Sequence, residues 1–441
     1  MRPSYFLVCA LLSPAVIGCS DSLPTPPVTT PPQPTAVHIK SGKPPLLVAY
    51  RDGFDTTANP VSWTVADKST DLTNVTFMAK TAYSIAVVCQ VDANTVLTWE
   101  SLRVVKDDIS DDVPEPIIET PCKAAPPARR TASGTMVQQG FAHLGDADQQ
   151  STSPNWNVNL LVNDGKKLDL VATSDLADPA ANKTLIRRDI MISGNTNLGT
   201  IDVMDGAAQD PVDIALESPP DPEESTETVT ATVDIKTKNN SGSARVSHGT
   251  YDLMKKSIKL FGLKSTALME GDEQTVTFTG FDQPKDTTIT TTRSFTRPFK
   301  VGDDVATGMV ATGLPSTIES QGWRLDCPPT MPQCSNDKKR LSVALPALPS
   351  LDTISIELSG TSATDPTQNA VYQIDITQKY FGATALARPL FDTDLTGFDP
   401  KWKIDFTKQY SRQITTEYDK LDDDDNFVDH ETSQFLEDVK P

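Results

Sequence analysis

Thr228–Lys236 reads TVTATVDIK. Val229, Ala231, Val233 and Ile235 fall on one side of an extended chain, while the threonines, Asp234 and Lys236 fall on the other. Successive side chains of a strand point to opposite faces, so this segment is a strand with one apolar and one polar face. The same alternation recurs outward from it. Ile354, Ile356 and Leu358 alternate with Ser355, Glu357 and Ser359. Tyr372, Ile374 and Ile376 repeat it, as do Trp402, Ile404 and Phe406, and Val158, Leu160 and Val162 sit among asparagines. One-sided strands belong to antiparallel sheets covered on one face. Asn163-Asp164-Gly165 and Asn239–Gly242 supply turns between such runs. No strand–helix–strand alternation is present, which argues against parallel-sheet folds. Thirty-four prolines, 6% aromatic residues and abundant threonine oppose a helical protein. The expected fold is therefore all-β, with two or three β-sandwich-like domains. Two segments remain helix candidates. Tyr251–Leu263 fits neither period well and would end at Gly262, and the second candidate is the stretch after Glu431.

Composition shifts divide the chain. Residues 37–105 form a first β-sandwich module, with Ala86-Val87-Val88-Cys89 as a buried central strand and Trp63 and Trp99 in its core. Residues 106–130 are linker-like, with an acidic patch followed by DVPEPIIETPCKAAPPARR. Residues 131–217 form a second small sandwich. SPPDPEES at Ser218–Ser225 marks the next boundary, and residues 218–441 form a large β-rich domain, one body or two split near 327–335. The length suggests about three domains.

The beginning of the chain decides its compartment. Tyr5–Gly18 is a short apolar run that ends at Val16-Ile17-Gly18-Cys19. Residues 1–18 have the layout of a bacterial lipoprotein signal peptide, with a small residue before the cut and a cysteine after it to receive the lipid. Cys9 fails as the acceptor because bulky Val8 precedes it. An ordinary secretory signal cleaved after Gly18 is the alternative. The run is too short to span a bilayer, which needs about 20 residues. Residues 19–36 then supply the lipidated cysteine and a tether. SDSLPTPPVTTPPQPTA at Ser20–Ala36 holds six prolines, which stiffen it toward an extended helix of about 3.1 Å per residue, a reach of roughly 50 Å. Ser20 follows the cysteine where many lipoproteins kept in the inner membrane carry aspartate. By analogy this favours the outer membrane, with the periplasmic or the surface side left open.

Cysteine usage fits that compartment. With Cys9 removed and Cys19 lipidated, Cys89, Cys122, Cys327 and Cys334 remain, an even number in an oxidising space. Three pairings are possible. The local ones, Cys89–Cys122 and Cys327–Cys334, are favoured, and no CxxC pair suggests metal ligation.

Short patches also carry a family resemblance. LLVAYRDGFD, VSWTV and YSIAVVCQ from Leu46, and LVNDGKKLDLVAT, LIRRDIMI and TIDV from Leu161, resemble modules of uncharacterised secreted bacterial β-rich lipoproteins. The patches cover about residues 46–205. The resemblance implies all-β modules on a lipid anchor and brings no activity with it.

The sequence excludes more chemistry than it nominates. Thirty-nine basic residues against 59 acidic ones give a net charge of −20, which repels nucleic acid. GxSxG, HExxH, P-loop and dinucleotide fingerprints are absent from the sequence. The four histidines, His38, His143, His248 and His430, lie far apart in sequence. His248, in SHGT beside Ser247, reads as a turn histidine before it reads as a base. Asp422, Asp423, Asp424 and Asp425 form the densest acidic run, a weak Ca²⁺ candidate that lacks EF-hand spacing and reads first as a solvated turn. Asp205-Gly206 and Gly145-Asp146-Ala147-Asp148 are weaker versions of it. Trp156, Trp323 and Trp402 would serve a glycan platform if exposed, but core tryptophan is commoner in sandwiches.

Together these features point to a lipid-anchored cell-envelope protein with a non-catalytic binding or structural role and no catalytic residue to nominate. Its partners would be the membrane through the lipid and an unidentified envelope protein or glycan. A carbohydrate-binding or carbohydrate-active surface protein and a Ca²⁺-stabilised adhesin are the alternatives, and no cofactor is expected beyond that Ca²⁺.

Overall fold

The computed structural model describes residues 33–53, 62–109, 114–124, 128–151, 157–216, 227–283, 289–298, 309–311, 324–326, 340–344, 353–377, 380, 385–389, 396–421 and 427–439. Contacts divide the chain into Met1–Gln33 and a compact unit, Pro34–Pro441. That unit is all-β. Among the described residues, α-helix is limited to the single turn Val105–Asp108 and to Tyr380.

Four of the five period-two segments fold as strands, as read. Along Thr228–Lys236 buried side chains alternate with exposed or half-buried ones, as they do along Glu273–Asp282, Asn369–Thr377 and the stretch from Thr353 to Ser359. They belong to one twelve-stranded sheet. From one edge its order is Ala244–Thr250, Thr228–Lys236, Glu273–Asp282, Ile289–Pro298, Phe427–Val439, Tyr410–Leu421, Thr353–Thr361, Asn369–Thr377, Thr95–Val104, Ala82–Gln90, Leu47–Asp52 and Thr64–Val65. The sheet thus draws on both ends of the chain. Its joint is Thr95–Val104 against Asn369–Thr377, a parallel pair in an otherwise antiparallel ladder. Strands from within residues 37–105 and 218–441 share this sheet.

Sandwich packing follows from which faces are apolar. Ala82–Gln90 is buried on both faces. Tyr83, Ile85, Val87 and Cys89 pack with Val37, Ile39 and Phe77 of a three-stranded sheet. Ala86 and Val88 face the other way, onto Leu47, Phe398 and Trp402. A second three-stranded sheet, Asn157–Asn163, Arg129–Met136 and Thr196–Ile201, closes over a seven-stranded sheet ordered Ala147–Ser151, Gly140–Leu144, Lys167–Ser174, Lys183–Met191, Ala207–Leu216 and Ile258–Leu263, with Met309–Ala311 also pairing with Ala207–Leu216. Their shared core includes Met136, Val158, Leu160 and Ile201 from one sheet and Leu144, Leu168 and Leu170 from the other. The seven-stranded sheet also packs on the twelve-stranded one, where Ile214, Leu260 and Leu263 meet Val233, Phe278 and Phe295.

Several local expectations are corrected. Tyr251–Leu263 is not a helix. Asp252 Oδ1 accepts hydrogen bonds from the N–H groups of Met254 and Lys255, a turn that competes with helix formation. Ile258–Leu263 then runs as a strand against Ala207–Leu216. The stretch after Glu431 is also a strand, because Phe427–Val439 finds a ladder partner on each side. Trp402, Ile404 and Phe406 do turn inward, but not from a strand. Asp399 caps a 3₁₀ turn at Pro400–Trp402, and Ile404 makes a single bridge to Ser362. Asn163-Asp164-Gly165 turns the chain from one sheet of a sandwich into the other rather than closing a hairpin. Gly165 takes φ +72° there, and Asp164 Oδ1 accepts from the Gly194 N–H at 3.1 Å.

Candidate functional site

Where the seven-stranded sheet meets the edge of the twelve-stranded one, a cleft of about 140 Å³ opens. Its polar wall is formed by His143, Asp148, Asp234, Ser243 and Arg245, and Phe141 and Val171 line its apolar side. Two strand edges and one turn bring these residues together. Gly140–Leu144 carries Phe141 and His143, and it pairs with Ala147–Ser151, which sets Asp148 directly opposite His143. Asp234 sits where the register of Thr228–Lys236 shifts against Ala244–Thr250, and its cross-strand partner is Arg245.

The turn between those two strands is locked onto the other sheet. Asn240 Oδ1 accepts from the N–H groups of Gly145 and Asp169, and its Nδ2 donates to the Asp169 carbonyl. The Gly242 N–H donates to the Gly145 carbonyl at 2.8 Å. A Cβ on residue 242 would meet His143 Cε1 at 3.0 Å, so glycine permits this approach.

The same Gly145 carbonyl accepts from His143 Nε2 at 3.1 Å. A carbonyl only accepts, so Nε2 carries the proton and Nδ1 of the neutral ring is an acceptor. His143 is 4% exposed, and its Nδ1 has no hydrogen-bond partner in the protein. Burial holds this imidazole below the ordinary value of 6.5, against the opposing pull of the Gly145 carbonyl, Asp148, the Gly242 carbonyl and Asp146. The ring is therefore neutral at neutral pH. Asp234 moves the other way. Burial raises its carboxyl above 3.8, outweighing the Thr232 hydroxyl, Arg245 and His143. Thr232 Oγ1 donates to Asp234 Oδ2 at 2.7 Å. Oppositely perturbed groups sharing a cleft are a mark of functional sites.

The residues singled out in the sequence are dispersed. Cys89 and Cys122 form a disulfide with Cα atoms 5.2 Å apart, both buried. Cys19, Cys327, Cys334, Asp422, Asp423, Asp424, Asp425, Trp156 and Trp323 lie outside the described residues. Trp402 is buried. His248 lies in a strand, not a turn, with its ring edge-on to Phe141 at 6.2 Å between centroids. Ser247 Oγ is occupied by the backbone of Phe261, donating to its carbonyl and accepting from its N–H. Asp146 pairs with Arg129, and Asp202 caps the 3₁₀ turn that contains Asp205. Among the described residues no group of three or more His, Cys, Asp or Glu side chains is placed to hold a metal. His143 was visible in the sequence as a lone histidine inside the apolar run FAHL, but nothing there joined it to Asp234 or Arg245.

Comparison with known proteins returns no match: no family model fits the chain, and no curated protein or solved structure is similar to it.

Proposed function

We propose that the protein is a lipid-anchored protein of the bacterial cell envelope, held by Cys19, with a non-catalytic binding role. The observation that carries this reading is the buried Cys89–Cys122 disulfide. Such bonds persist in oxidising compartments, which agrees with the signal-like residues 1–18 and the Pro-rich stretch that follows. A rigid sheet drawing on both ends of the chain suits a scaffold, and the cleft at its edge offers a binding site. No helix among the described residues is long and apolar enough to cross a membrane. The test is palmitate labelling and intact mass of the native protein beside Cys19→Ser. The expected result is an acyl mass on the native chain and release of the variant from membranes. An unmodified thiol at Cys19 would end the proposal.

A further inference from the structure

We propose that the cleft at the sheet junction receives one neutral, polyhydroxylated ring, a sugar residue. The inference deepens the binding reading above and rests on it for its setting. Its strongest support is the mixed lining, with His143, Asp148, Asp234, Ser243 and Arg245 forming a polar wall beside apolar Phe141 and Val171. An apolar occupant would strip water from these polar groups and pair none of them. The occupant must therefore bring an O–H or N–H.

The other groups narrow the choice. Asp148 and Asp234 accept, whereas Arg245 and Ser243 donate. Hydroxyl groups both donate and accept, so a polyol meets this mixed set without a charge of its own. With His143 neutral, two carboxylates face one guanidinium, and the whole chain carries −20. Both facts disfavour an anion. Phe141 supplies an apolar wall of the kind that the C–H face of a sugar covers, and His248 braces that ring edge-on. A cleft of about 140 Å³ matches the liquid volume of roughly four to five waters. That admits one ring, edge first, with any longer chain left in solvent.

The test is calorimetric titration of the full protein with methyl glucoside, methyl galactoside and N-acetylglucosamine, beside acetate and ethylammonium. Histidine ring resonances are followed by NMR. At least one sugar should bind in the millimolar range or tighter and shift the His143 ring. Arg245→Ala, at an exposed position, should fold normally and weaken that binding by about tenfold or more. Phe141→Ala should weaken it as well. The proposal is overturned if no sugar binds, if only acetate or ethylammonium binds, or if neither substitution changes sugar affinity. Cys19 acylation without sugar binding would reject the ligand class and leave the anchored protein standing. Sugar binding with a bare Cys19 would do the reverse.

Discussion

Trp99 Nε1 donates a 2.5 Å hydrogen bond to Asp375 Oδ2, across 276 positions of sequence. Their strands run parallel side by side, and Ser355 Oγ donates to the other oxygen of Asp375 at 2.7 Å. The bond clamps the joint at which the first strands of the chain enter the sheet of the last. Trp99 is buried, so removing its acceptor strands an indole N–H. Asp375→Ala should cost about 1–3 kcal/mol, read as a lower urea midpoint at unchanged slope. Because the two parts share one ladder, residues 37–105 should unfold together with residues 353–377. Separate transitions for the two would show the joint to be weaker than described.

The Cys89–Cys122 disulfide lies in the same core cluster as Trp99. It closes a span of 33 residues, for which loop entropy gives a stabilisation of about 3–4 kcal/mol. Cys122 lies beyond the short strand Ile117–Glu119, which pairs with Thr35–Lys40, so the bond holds that edge against the central strand. The Cys89→Ala, Cys122→Ala double variant should lose stability of this order in urea titration. A loss below about 1 kcal/mol would mean that the unfolded chain gains little freedom from the missing link.

Arg188 holds two buried acids at once. Its Nη1 donates to Asp169 Oδ2 at 3.0 Å and its Nη2 to Asp272 Oδ2 at 2.5 Å. The two carboxylate side chains are 1% and 0% exposed. For Asp169, burial alone would raise the carboxyl, but Asn239, the Asp189 N–H and Arg188 outweigh it and leave it below 3.8. Burial likewise opposes Asp272, and Arg188 with the Met269 and Lys238 N–H groups brings it below the same value. A depressed carboxyl stabilises the fold above its ordinary value, and that contribution fades as pH falls below 3.8 through the folded values. Arg188→Met should cost about 3–5 kcal/mol at neutral pH, because it leaves buried charge uncompensated. It should also flatten the acid limb of the stability curve. A variant with the wild-type acid limb would assign that limb to other carboxylates.

The strand faces were legible in the sequence because period two is a local property, and Thr228–Lys236, Thr353–Thr361 and Asn369–Thr377 carry it in full. Partnership was not legible. Nothing within Thr95–Val104 specifies a parallel neighbour near the far end of the chain, since that choice is made by faces meeting after collapse. The stretch Tyr251–Leu263 misled because its apolar residues straddle a turn and a strand, and their merged spacing fits no single period. The cleft was hidden for the first of these reasons. Asn240 reaches Gly145 across 95 positions, and only that docking brings Asp234 and Arg245 to His143.

Asp234 offers the clearest test of the electrostatics in the cleft. Its carboxyl is raised above 3.8 by burial, against Thr232, Arg245 and His143. A raised acid favours the folded state fully below its unfolded value. As pH rises past 3.8 the unfolded chain ionises first, and stability falls until the folded value is passed. Above that window the fold bears the penalty of burying the charge. Asparagine does not ionise, and its carbonyl can still accept from the Thr232 hydroxyl, which donates to Asp234 at 2.7 Å. Asp234→Asn should therefore be more stable than the parent protein at pH 7, and the advantage should disappear below pH 3.8. Thermal melts of the two proteins across that range decide it. A less stable variant at pH 7 would mean that attraction to Arg245 exceeds the cost of burial, and Asp234 would then be a held anion rather than a strained one.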